Sequence, residues 1–381
     1  MNRSEPDVTV GGADPGLEPA VSAFRELIVS GEEPGASLSV WRQGRPVLEA
    51  WGGFADADRT KPWTSATLAM TYSTGKPLAA LAALLAVREG FVTLDDPVIR
   101  WWPEYGQGGK ERTTLRYLLS HRAGMSVFPE AASGIDPLDK DALIHALAAA
   151  ECLSEPGTAI AEHAMTYGHL IDGLLAAAGA VDIRTTVAEV TTPLGATLWF
   201  GVPYSVLGDV AALEIIDENW VAEYLANPLA ARALSLPAGR LVPAHVNSAP
   251  ARQASFPADG LFATASGLAR FYDDLSRPGG RIARALGPVL WEEYLRPHAV
   301  GHDAFLDGPA QWSLGLSVDE DEFGMGGIGG SCAWYSRRHD YAMAYVTRGL
   351  GTFDRVDAVA HALETALAEL PDATLRSPDT A

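Results

Sequence analysis

Strand-like segments at both ends of this chain enclose a middle that reads as helix, and this arrangement limits the fold more than any other feature. Near the N-terminus, "GASLSVWRQGRPVLEAWGGFAD" places runs at Ser37 to Trp41 and Pro46 to Ala50 around Gln43-Gly44-Arg45, the pattern of a β-hairpin. Near the C-terminus, "QWSLGLSVD" and "SCAWYSRRHDYAMAYVT" read as strands and "RVDAVAHALETALAEL" as a closing helix. Between them, "DKDALIHALAAAE" and "YGHLIDGLLAAAGA" have helical periodicity, interrupted by clusters such as Glu155-Pro156-Gly157. Strands at both ends around a helical middle imply a two-part α+β body whose sheet is built from the first and last segments. "AVSAFRELIVSGE" adds an early helix with Val21, Phe24, Leu27 and Ile28 on one face. Residues 1–18 read as a polar, mobile leader and 373–381 as a loose tail, leaving 19–372 as the folded unit.

Composition removes several functions. The 381 residues carry a net charge of −20, which argues against nucleic acid, because phosphate binding needs a basic face. The N-terminus lacks an apolar core and carries early acids, so it is not a signal peptide, and no apolar run reaches the roughly 18 residues of a membrane span. Two cysteines, Cys152 and Cys332, form neither a disulfide framework nor a metal-ligand set. The expectation is a cytoplasmic protein with no cofactor, no metal, no nucleic acid and no membrane partner.

The chemistry concentrates in "MTYSTGKPLAALAALLAVREG", where Ser73 and Lys76 stand three residues apart at a helix start. Positions i and i+3 share a helical face, so the Lys76 amine can reach the Ser73 oxygen. Pro77 fits a first turn, and Leu78, Leu81, Leu84 and Leu85 bury the helix behind it. A helix N-terminus supplies free N–H groups that can hold an oxyanion. A lysine serves as base only where burial makes its neutral form accessible. Alone, the spacing also fits an N-capping serine beside a solvated lysine.

The surroundings decide between these two readings. "PGASLSVWRQGRPVLEAWGGFADADRTKPW", "YSTGKPLAALAALLAVREGFVTLDDPVIRWWPEY", "LRYLLSHRAGM", "EPGTAIAEHAMTYGHLIDGLL", "TTPLGATLWFGVP" and "FGMGGIGGSCAWY" together resemble the serine β-lactamase-like superfamily, and within it the class C β-lactamase-related (family VIII) carboxylesterases. The resemblance covers about residues 30–350. It implies an antiparallel sheet flanked by helices, from about 19–70 and 285–370, plus an all-helical part over about 71–284, with the site between them. It also implies Ser73 as nucleophile, Lys76 as its proton partner, and the N–H groups of Ser73 and Ile328 as oxyanion hole.

Two positions depart from the family pattern. Where the family has a tyrosine that relays protons, this chain has Glu162, followed by His163. Glu162 is either a replacement general base or a surface acid at a site that has lost its relay. Where the family has lysine or histidine, this chain has Met325, a soft apolar residue that moves no proton. Gly327 reads as a strand glycine close to the substrate, and Trp334 as a wall of the acyl pocket. His121, Tyr167 and Cys332 read as structural, and His163 as a secondary candidate. The implied function is a serine acyl-enzyme catalyst. It acts on a small-molecule ester or activated amide and passes the acyl group to water, or to an amine or alcohol as some relatives in natural-product pathways do. The alternative is an inactive ligand-binding protein that keeps the pocket.

Overall fold

The computed structural model of the protein describes residues 7–369. Strand β1 (Val8–Ala13) precedes helix α1 (Glu18–Ser30), which is followed by the hairpin of β2 (Gly35–Arg42) and β3 (Arg45–Gly53). The hairpin turns on Gln43 (φ 49°) and Gly44 (φ 86°). Two successive left-handed residues give the turn whose twist matches the flanking strands. The segment read as a mobile leader is in part an edge strand: β1 pairs antiparallel with β3, Val8 opposite Gly52 and Ala13 opposite Leu48. Of its six residues only Val8 is buried, so the strand shows no apolar alternation, and its partner is the backbone of β3. Residues 1–6 and the expected tail lie outside the described residues.

The middle of the chain holds β4 (Ala69–Met70), a 3₁₀ turn (Ser73–Gly75), helix α2 (Lys76–Arg88), β5 (Leu198–Phe200), β6 (Glu214–Ile215) and β7 (Leu261–Ala263). These strands correct the expectation of an all-helical part. β4, β7 and β5 form a three-stranded sheet, and runs of two or three residues are too short to show a period in sequence. Helix Ala265–Ser276, also within the stretch read as helical, packs on the main sheet against β2.

The last third supplies β8 (Ala299–Asp303), β9 (Gly308–Trp312), β10 (Ser317–Val318), β11 (Glu322–Gly327), β12 (Ser331–Ser336), β13 (Tyr341–Thr347), β14 (Gly349–Leu350) and the closing helix Asp354–Glu369. β14 pairs with β6. The main sheet has nine antiparallel strands in the order β1-β3-β2-β13-β12-β11-β10-β9-β8. The two chain ends meet at β2 and β13, Ser39 opposite Ala344.

Alternation along these strands sorts the core into two layers. Leu38, Val40, Met343 and Tyr345 face α1 and the closing helix, packing on Phe24, Ile28, Val359 and Leu363. Ala342, Ala344 and Val346 face the opposite way, toward a larger core containing Leu81, Leu84 and Phe271. α2 runs through that core with every residue from Lys76 to Leu84 buried, as expected of a helix that is apolar nearly all round. A buried polar knot ties the closing helix to β13: the Glu33 carboxylate pairs with Arg355 and accepts from Thr347 Oγ1 (2.7 Å) and Tyr345 OH (2.9 Å).

Candidate active site

Ser73 is delivered by a strained turn. Thr71 N–H donates to Leu261 O (2.7 Å), and Tyr72 forms a bridge with Gly260. Tyr72 then adopts φ 50°, ψ −127°, a region that costs a residue with a Cβ about 1–3 kcal/mol. Its buried phenol, donating to Arg240 O (3.3 Å), anchors the turn. The chain reverses there and places Ser73 on the first residue of a 3₁₀ turn that runs into α2. Close packing holds this turn: a Cβ on Gly75 would lie 2.7 Å from the Phe200 ring.

Lys76 follows on the same helical face. Its ammonium nitrogen lies 2.5 Å from Ser73 Oγ and 3.0 Å from Glu162 Oε1, and its side chain has no solvent exposure. The spacing expected from sequence is therefore realised, and Glu162 is the third member of the cluster. Glu162 is 6% exposed, which removes the surface-acid alternative. Burial pushes its carboxyl above the usual carboxylate range; Lys76 opposes that shift and nearby Asp303 adds to it. Asp303 also fixes the loop, since its Oδ1 accepts the Glu162 N–H (3.2 Å) while its Oδ2 accepts from Trp312 Nε1 (2.8 Å).

His163 sits beside Glu162 in sequence but is committed elsewhere. Its Nδ1 donates to Ala161 O (2.9 Å) and its Nε2 accepts the Met125 N–H (3.3 Å). Burial lowers its pKa to about 4, so it is neutral near pH 7. His121 accepts the His163 N–H at Nδ1 (3.1 Å) and meets the Trp312 ring edge-on at 4.4 Å. Tyr167 donates to Leu119 O (3.2 Å), and its own burial raises its pKa. Cys332 is buried, which pushes its thiol up. All four are framework residues.

A cavity of about 190 Å³ opens onto Ser73 and Glu162. Met325 and Ile328 line it, as expected. Among the described residues, neither the Ser73 nor the Ile328 N–H has a hydrogen-bond partner, so both are available as donors. Two expectations need correction. Gly327 does not line the cavity; its neighbour Gly326 does. A Cβ on Gly327 would lie 2.0 Å from Thr71 O and 3.3 Å from Ser73 N, so this glycine lets β11 press against the serine turn. Trp334 faces away. It pairs with Gly324 while Met325 pairs with Ala333, and successive strand residues point to opposite faces, so Trp334 and Met325 are on different sides of the sheet.

Reading the sequence did not identify Asp259, Tyr224, Phe305, Trp312 or Phe353, all of which line the cavity. Asp259 lies in "PADG", which reads only as a turn, and the others resemble ordinary core aromatics. Burial raises the Tyr224 phenol to about 12, with Glu162 and Glu223 adding to the shift. Among the described residues, no group of three or more His, Cys, Asp or Glu side chains is placed to hold a metal ion, and no helix is long and apolar enough to cross a membrane.

The beta-lactamase family model matches residues 20–367. The chain belongs to the beta-lactamase family. It is thus a member of a group of serine hydrolases that includes esterases and acyltransferases. A curated relative, the esterase/beta-lactamase LipL of Mycobacterium tuberculosis, is 30% identical over 357 residues, 88% of this chain and 82% of that protein. Among solved structures, a family VIII carboxylesterase superposes with a TM-score of 0.83 at 28% identity, over 94% of this chain and all of that one (100%). A penicillin-binding protein homologue from Caulobacter crescentus gives a TM-score of 0.82 at 30% identity, with the same 94% and 100% coverage. The family VIII resemblance and the β-lactamase-like α+β fold read from the sequence agree with these matches.

Proposed function

We propose that the protein is an esterase-type acyl-enzyme catalyst with Ser73 as nucleophile and Lys76 and Glu162 as one proton-handling unit. The observation that carries this reading is the buried Lys76 amine held between Ser73 Oγ and Glu162 Oε1. Ser73 Oγ attacks the carbonyl carbon of an ester while its proton passes to the Lys76–Glu162 pair. The pair is neutral overall before the transfer, whether the shared proton sits on nitrogen or on carboxylate, and the one positive charge it gains is balanced by the oxyanion forming beside it. The Ser73 and Ile328 N–H groups hold the oxyanion. The carbon–oxygen bond to the leaving alkoxide then breaks, and the alkoxide takes the proton back. A second round with water, or with an amine or alcohol, releases the acyl group. An inactive binding protein would have no use for a lysine desolvated against a serine, so the enzyme reading is favoured over it.

Organic acceptors are favoured by the cavity walls. Met165, Leu234, Phe305, Met325, Ile328 and Phe353 give an organic acceptor apolar surface to pack on, while water has only the polar groups of the lining, such as Glu162 and Asp259, to hold it; an amine also brings its own nucleophilicity. One experiment addresses both parts: turnover of p-nitrophenyl butyrate by wild type and Lys76→Arg, with and without a small primary amine. Arginine cannot give up its proton at working pH, so the variant should lose at least about a hundredfold in rate. In wild type, amide product should exceed free acid at amine concentrations well below molar. Near-normal activity of Lys76→Arg would remove lysine as base, and hydrolysis alone at every amine concentration would leave a plain esterase.

A further inference from the structure

We propose that Asp259 is a substrate-recognition residue that binds a hydrogen-bond donor, a hydroxyl or amino group, carried on the acyl chain. The proposal rests on the acyl-enzyme reading above and adds the class of acyl group it accepts. Asp259 lines the same cavity as Ser73, yet its side chain is only 4% exposed. Arg240 Nε holds one of its oxygens, Oδ2, at 2.8 Å, and the guanidinium lies 3.8 Å from the centre of the Phe256 ring. Among the described residues the other oxygen, Oδ1, has no partner. The position of Asp259 relative to the nucleophile is fixed through the backbone: the next residue, Gly260, bridges to Tyr72, which precedes Ser73.

A carboxylate placed in an apolar wall loses solvation, and an ion pair restores that loss only when its remaining lone pairs also find donors. Arg240 supplies a donor on one side. The ligand cavity is the open side, so a donor from the substrate completes the set. The rest of the lining points to the same class of substrate. Lysine, arginine and histidine are all absent from the cavity lining among the described residues, and Glu162 is a second acid, so a substrate carboxylate finds no cationic partner there. The charge of Asp259 is already balanced by Arg240, so a neutral hydroxyl is accepted as well as an ammonium.

The test compares p-nitrophenyl 3-hydroxybutyrate and 3-aminobutyrate with the plain butyrate and with the anionic hemisuccinate. In wild type, kcat/KM for the donor-bearing esters should exceed that for butyrate by about tenfold to a hundredfold, the range for a hydrogen bond to a charged group. The hemisuccinate should be the poorest substrate. The hydroxy and amino arms separate a neutral from a cationic donor. In Asp259→Asn, Arg240 holds the amide oxygen and turns the NH₂ into the cavity, a donor in place of an acceptor, so the preference for the amino ester should vanish, whereas a hydroxyl, which also accepts, keeps part of its own. Asp259→Leu combined with Arg240→Leu, which strands no buried charge, should remove both preferences. The readout is the ratio within each variant, so a shared loss of activity cancels. Equal rates on butyrate and hydroxybutyrate in wild type, or a preference that survives in both variants, would overturn the proposal. Binding of 3-hydroxybutyramide against butyramide, followed by ligand-observed NMR, reads the same ratio without turnover. Failure of the acyl-enzyme reading is therefore distinguishable from failure of this one.

Discussion

Replacing Gly327 by alanine tests how the site is assembled, with no change to any group that takes part in the chemistry. The added Cβ would sit 2.0 Å from Thr71 O and 3.3 Å from Ser73 N. Ordinary contact for such a carbon begins near 3.4 Å, so the end of β11 and the serine turn must separate by more than about 1 Å. Both neighbours are backbone, and neither can rotate away. Ile328, next in the chain, moves with β11, so its N–H leaves the proposed oxyanion position. Losing one oxyanion donor costs about 10²–10³ in kcat, and a misplacement of about 1 Å alone costs about a hundredfold. Gly327→Ala should therefore lower kcat toward p-nitrophenyl butyrate by about two to three orders of magnitude while leaving a cooperative melt. Gly326→Ala is the control. Its Cβ would meet only the Phe353 ring at 3.2 Å, a side chain that can shift, so activity should stay within about tenfold. If Gly327→Ala kept kcat within tenfold of wild type, the close approach of β11 would not be what aligns the oxyanion hole.

Glu162 must be ionised to take a proton, and burial raises its pKa, so kcat/KM should climb with pH along a limb lying above the ordinary glutamate value of 4.5. Glu162→Gln should abolish that limb and lower the rate by about 10²–10⁴, and an unchanged pH profile would exclude Glu162 as the titrating group. Glu33→Ala removes the partner of buried Arg355 together with the acceptor for Thr347 and Tyr345. Stranding a buried charge costs about 3–5 kcal/mol, so in a chain of this size the melting temperature should fall by roughly 4–6 °C with KM little changed; a drop under about 2 °C would contradict the reading.

What the sequence reveals of this molecule depends on how local each signal is. The β2–β3 hairpin and the Ser73–Lys76 pair are local, set by turn chemistry and helical spacing, and both can be read directly. Glu162 can be located only by its place in a family pattern, and its burial against Lys76 is a tertiary fact. β1 cannot be read because five of its six residues are exposed and its hydrogen bonds come from another strand. Trp334 is misassigned for a simple reason: being near the glycine strand in sequence does not say which face of the sheet a side chain occupies. Asp259 is invisible because an acid before a glycine reads as a turn, and only the fold brings it to the same cavity as Ser73.

The central claim is that Ser73 carries the acyl group. Mass spectrometry of the intact protein, mixed rapidly with a slowly hydrolysed ester and then digested, tests it most directly. The account predicts one acyl group per chain, mapped to the peptide containing Ser73 and absent from Ser73→Ala. An adduct on another residue, or turnover by Ser73→Ala at the wild-type rate, would contradict it.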